Sequence, residues 1–154
     1  NMIVVKSISK SYGVPGLRLG IMASADEMLI KEAKKYVSIW NINSFAEFFM
    51  QIFTKYSKDY HKACGSFHAE RADFISKLCE IPFIHVIPTQ ANFVLCEVKE
   101  PDSSMEIVKR MLREHNILLS ACSAKKGLQG GKYLRIAIRG HQDNARLIEA
   151  FKQL

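Results

Sequence analysis

Lys10 stands between Ser9 and Ser11 in the stretch SISKSYGVPGLRLG (Ser7–Gly20), with Arg18 eight positions later. A lysine amine attacks carbonyl carbon when its ammonium is desolvated or set beside another cation, either of which lowers its pKa. Ser7 and Ser9 offer hydroxyls, and Arg18 offers a two-pronged fork for a phosphate or carboxylate. Gly13, Gly16 and Gly20 let the backbone bend around a bulky group. An imine-forming amine beside a phosphate clamp suits a phosphorylated aldehyde. The same residues equally describe a polar loop joining two strands, and spacing alone leaves both readings open.

Other reactive side chains carry less. His61, Cys64 and His68 share a helix face at a spacing that could hold a metal, but no fourth ligand is apparent, so an ordinary helix surface is expected and no metal. The four cysteines, Cys64, Cys79, Cys96 and Cys122, form no C-x-x-C pair, which suits reduced thiols in a cytoplasmic protein. The 154 residues carry a formal charge of +7, with 48% hydrophobic and 24% charged residues, a composition suited to a globular fold with a real core. The basic residues are scattered and lack an interleaved aromatic platform, so no nucleic-acid partner is expected. No apolar run is long enough to span a bilayer, so no membrane partner is expected either.

The elements that must position these groups follow from periodicity. Ile3–Val5 reads as a buried strand, and Leu17–Ala23 as a second one broken by Gly20. Three Ser…Glu pairs, Ser24 with Glu27, Ser44 with Glu47 and Ser103 with Glu106, read as capping boxes at helix starts. Phe45, Phe48, Phe49, Ile52, Phe53 and Tyr56 make one helix face, and a longer helix covers Lys58–Cys79. From Ile84 the texture becomes β-β-α-β-β-α. Strands are expected at Ile84–Ile87, Phe93–Val98, Ile117–Leu119 and Tyr133–Arg139. The helix Ser103–His115 should turn Val108, Met111 and Leu112 inward, and a last helix should bury Leu147, Ile148 and Phe151. The fold class is α/β, ending in a two-layer α+β unit.

S-x-x-K followed by an arginine resembles the lysine motif of fold-type I pyridoxal-phosphate enzymes. SISKSYGVPGLRLG as a whole resembles the class I/II aminotransferases, in the branch of histidinol-phosphate aminotransferase and threonine-phosphate decarboxylase. The likeness continues in order through WNINSFAE (Trp40–Glu47), ANFVLCEV (Ala91–Val98) and YLRIAIR (Tyr133–Arg139). It implies that Lys10 is the catalytic lysine, bearing the cofactor pyridoxal 5'-phosphate and later acting as general base. It implies that Ser7 and Arg18 bind the cofactor phosphate and that Arg135 clamps the substrate α-carboxylate. Asn92 is implied at the substrate too, although an asparagine turning into a strand is common.

The resemblance also implies an organisation: residues 1–43 as the end of a large cofactor-binding domain, 44–80 as interdomain helices, and 81–154 as the small α+β domain. Complete family chains are far longer, and they place further cofactor contacts upstream of the lysine. The chain therefore reads as a C-terminal fragment, with cofactor binding expected to be weak or absent in these residues alone. The implied activity is amino-group transfer between an amino acid and a keto acid or aldehyde, by a cytoplasmic homodimer. Decarboxylation is the alternative, and a non-catalytic folded module is the alternative of another class. Relatives that take phosphorylated substrates often carry an arginine where this chain has Ser120, which argues against such a substrate.

Overall fold

A computed structural model describes residues 2–99, 101–128 and 130–154. The chain forms two compact units, Asn1–Cys64 and Gly65–Leu154.

The first unit begins with strand β1 (Ile3–Ser7), a single helical turn α1 (Ile8–Ser11), a 3-10 turn (Pro15–Leu17) and strand β2 (Gly20–Ser24). Helices α2 (Glu27–Lys34) and α3 (Ser44–Phe53) follow, then a 3-10 turn (Thr54–Tyr56) and the start of helix α4 (Ser57–Cys79). β1 and β2 pair antiparallel from Ile3↔Ser24 to Ser7↔Gly20. Branched side chains favour this extended backbone, but the burial expected of Ile3–Val5 is absent: every residue of β1 is exposed, Val5 at 77%. A two-stranded ribbon has no second layer of its own to cover it. The unit's buried cluster is small: Ile8, Leu19 and Ala46, with Tyr12, Leu17 and Phe49 packed against them.

Two expected capping boxes are replaced by nearer caps. The carboxylate of Asp26, not Ser24, accepts the Leu29 amide at 2.9 Å and starts α2. Ser24 instead closes the ribbon, donating to the Met2 carbonyl at 3.0 Å. Asn43, not Ser44, caps α3, its Oδ1 accepting the Ala46 amide at 2.9 Å. Asp and Asn cap as well as Ser, so the residue that already has extended φ/ψ takes the position.

The second unit contains the remainder of α4, then β3 (Ile84–Ile87), β4 (Phe93–Val98), α5 (Ser104–His115), β5 (Ser120–Ala121), β6 (Tyr133–Ala137) and α6 (His141–Lys152). This is the expected β-β-α-β-β-α order. The sheet runs β3-β4-β6-β5, and each neighbouring pair is antiparallel. Alternation turns Val94, Cys96 and Val98 of β4, and Leu134 and Ile136 of β6, into one core with Ile107 and Met111 of α5 and Leu147, Ile148 and Phe151 of α6. The Ser103/Glu106 capping box is present, with each side chain bonding the other residue's backbone amide. Two details differ from expectation. Leu112 is 47% exposed and Ile107 is the buried residue, because the inward stripe of α5 runs through Ser104, Ile107 and Met111. The strand expected at 117–119 forms at Ser120–Ala121 instead, after Asn116 ends α5 in a left-handed conformation (φ 54°).

All four thiols are free, and burial pushes that of Cys96 up to about 12. No described helix is long and apolar enough to cross a membrane.

Candidate active site

The ribbon ends at the lysine. Past the last pair, Ser7↔Gly20, the chain turns into α1 and brings Ser9 inward. The Ser9 amide donates to the Leu19 carbonyl at 3.2 Å, its hydroxyl donates to the same carbonyl at 3.3 Å, and the Leu19 amide donates to its Oγ at 2.9 Å. This clasp closes a loop whose first residue is Lys10 and whose last is Arg18. Ser7, Lys10 and Arg18 are therefore gathered at one end of one ribbon, all three exposed.

Two sequence expectations change here. Sequence alone has Ser9 offering its hydroxyl beside that of Ser7, but it is buried and spent on the clasp. Lys10 is exposed, so the described residues do not themselves desolvate its amine. Ser7 precedes α1 with no side-chain cap bond. Gly13 sits at φ +67°, where a side chain would be strained, and a Cβ on Gly20 would lie 3.3 Å from the Lys6 carbonyl oxygen.

Arg18 is the unusual residue. Its φ is 51°, a left-handed conformation that costs a non-glycine residue about 1–3 kcal/mol. Its guanidinium donates to the Pro15 carbonyl at 3.3 Å. Asn116 is the other described non-glycine residue with positive φ, and it sits at a helix end where asparagine is common. Arginine has no such preference, so the strain falls on a residue already marked for its chemistry. From Ser7 to Gly20 there is no Asp or Glu. One amine, one hydroxyl and one guanidinium, with no carboxylate among them, fit a phosphorylated aldehyde.

Two supports escaped sequence reading. The Asn43 side chain donates to the Leu17 carbonyl at 2.9 Å while it caps α3, so one residue ties the loop to that helix. Tyr60 donates its hydroxyl to the Ser11 carbonyl at 3.2 Å. An asparagine just before an apolar helix face was a legible signal for the first. Nothing local signals the second, which joins residues 49 apart.

In the second unit Arg135 lies on the exposed face of β6. It is paired with Leu95 on one side and Ser120 on the other. Directly opposed residues point to the same face. Its guanidinium lies 5.6 Å from the centre of the Phe93 ring. Asn92 is exposed, and its carbonyl accepts the Ile138 amide at 3.0 Å, extending the β4–β6 pairing. Arg135 of β6 and Asn92, the residue just before β4, thus lie along the same strand pairing.

In the helix-face set His61, Cys64, His68, the Nδ1 of His61 lies 2.6 Å from the Ser57 carbonyl of the same helix. Glu70, Asp73 and His141 place one ligand-type atom each within 4.8 Å of one another. Glu70 accepts Asn144 Nδ2 at 2.8 Å, so this group ties α4 to α6.

A strand–lysine turn–strand ribbon followed by helices and an antiparallel α+β unit defines a known class. The sequence profile of the family "Aminotransferase class I and II" matches residues 1–151, and the chain belongs to that family of pyridoxal-phosphate-dependent enzymes. It is 32% identical over its full length to a CMP-5'-(3-aminopropyl)phosphonate synthase of Streptomyces rubellomurinus, covering 24% of that protein. It is 31% identical over 97% of its length to an L-serine phosphate decarboxylase of Campylobacter jejuni, covering 38% of that protein. The crystal structure of the histidinol-phosphate aminotransferase from Clostridium acetobutylicum superposes with a TM-score of 0.89 at 28% identity, over 98% of this chain and 45% of that one. The chain thus spans less than half the length of these relatives.

Proposed function

We propose that this chain supplies the lysine turn and the carboxylate clamp of a pyridoxal-phosphate-dependent aminotransferase that moves an amino group from an amino acid to a keto acid or aldehyde. The supporting observation is the Ser9–Leu19 clasp, which sets Lys10 and a strained Arg18 at the two ends of one acid-free loop. Lys10 would hold the cofactor through its amine, with Ser7 and Arg18 donating to the phosphate. When bound, the cofactor supplies a sink for the electron pair released at the substrate α-carbon. Lys10, once its amine is free, takes the α-proton as general base and returns a proton at the end of the reaction. Arg135 binds the substrate carboxylate by paired charge-assisted hydrogen bonds, and its stacking on Phe93 limits the directions the fork can take. Asn92 borders the same substrate. The contacts that the family places upstream of the lysine are not among these 154 residues, so the proposal is for a protein that also contains them. That it works as a cytoplasmic homodimer is part of the proposal and rests on the resemblance.

The test uses the full-length protein loaded with pyridoxal 5'-phosphate. The visible absorbance of lysine-bound cofactor should vanish in Lys10→Ala, and Arg18→Ala should weaken cofactor binding by about 10-fold to 100-fold, the worth of a charge-assisted bond. A band that persists without Lys10 sinks the assignment. A second reading, decarboxylation, draws support from the Campylobacter relative's name. Carbon dioxide release in place of keto-acid formation from the amino acid would select it.

A further inference from the structure

Lys10 lies in a helix of four residues, α1, which is too short to hold its own shape. The Ser9–Leu19 clasp fixes the residue before it. What fixes the residue after it comes from far along the chain. The Tyr60 hydroxyl, on the first turns of α4, donates to the Ser11 carbonyl at 3.2 Å. The next residue, Tyr12, is wedged among aromatic rings, with centroids 4.5 Å from Phe53 (edge-on, 68°) and 4.6 Å from Tyr60. Lys6 lies over the same Tyr12 ring, its Nζ 5.4 Å from the centroid. The neighbouring Cys64, together with burial, raises the pKa of Tyr60 above its ordinary value. The hydroxyl therefore stays protonated, and stays a donor, through the physiological range. All of these contacts lie inside the first unit.

Resting on the reading of Lys10 given above, we propose that Tyr60 is a positioning residue. Its hydroxyl, bonded to the carbonyl one residue past Lys10, sets the direction in which the Lys10 amine leaves its short helix. The ring stack holds Tyr12 in place, and the hydroxyl orients the Ser11–Tyr12 peptide, the second peptide after the lysine. Packing alone would need only the ring. The donor adds a direction, because a hydrogen bond to a carbonyl weakens steeply as its angle opens.

Tyr60→Phe separates the two, since it keeps the ring contacts and removes the donor. In the full-length protein, hydrogen exchange at the Tyr12 and Gly13 amides should quicken by about fivefold or more, with the β2 amides and the thermal midpoint unchanged. With pyridoxal 5'-phosphate bound, the pH midpoint of the visible band should move by about half a unit or more, because redirecting the Lys10 amine would change the charges and solvent around its nitrogen, which set its proton affinity. Tyr56→Phe removes a hydroxyl from the same aromatic groove and should move neither. Unchanged exchange in Tyr60→Phe overturns the proposal, as does faster exchange with an unmoved pH midpoint of the visible band. A visible band that survives Lys10→Ala overturns the reading of Lys10 itself, and the exchange data then still decide whether Tyr60 holds the turn.

Discussion

The two units divide the work unequally. Among the described residues, the second buries sixteen apolar residues in one cluster, from Phe74 to Phe151. The first buries three and leaves Trp40 92% exposed, along with both faces of its ribbon. Yet the first carries Lys10 and Arg18, an amine and a guanidinium on one exposed loop. Its shape comes from directed hydrogen bonds at Ser9, Asn43 and Tyr60, whereas the second is shaped by apolar packing. Among the described residues no apolar layer covers the ribbon, and the lysine loop is held by directed hydrogen bonds at Ser9, Asn43 and Tyr60.

The contrast can be broken by substitution. Phe74→Ala, at a fully buried position, should cost about 3–5 kcal/mol in urea denaturation, from lost transfer energy plus the cavity left behind. Val5→Ala in the exposed ribbon should stay within about 0.5 kcal/mol. Equal losses at the two sites would end the distinction. Ser9→Ala should cost about 1–3 kcal/mol, because the Leu19 amide loses its partner in a buried place. Hydrogen exchange should show that loss in residues 8–20 and not in β4 or β6, and a loss spread over both would mean that the clasp does not act locally. A gain, not a loss, is expected at Gly65, within α4, where the second unit begins. Nothing lies within 4 Å of a Cβ built there. Gly65→Ala should therefore stabilise the protein by about 1 kcal/mol through helix propensity alone, read as a rise in thermal midpoint. A destabilised variant would show that the position needs a glycine's backbone freedom.

Legibility followed the range of the interaction. The Ser103/Glu106 box was readable because cap and partner lie three residues apart, and nothing nearer competes for the position. Ser24 and Ser44 carried the same signature and lost to Asp26 and Asn43, since capping depends on which residue is already extended. The inward alternation of Leu134 and Ile136 was readable from β6 itself. The company Arg135 keeps was not, because Ser120 and Phe93 reach it only through sheet register.

Residue types and short spacings alone determined several local features of this protein: an amine and a guanidinium on one glycine-bearing loop, one complete capping box, and an alternating strand with an arginine on its open side. They could do so because those features depend on atoms a few residues apart. Only the tertiary structure decided that Ser9 turns inward while Ser7 stays out, that Arg18 holds a left-handed backbone, and that Tyr60 reaches back to the lysine turn. Those outcomes depend on distant segments meeting, and whether a polar side chain faces a partner or the solvent is a property of the neighbours that folding brings.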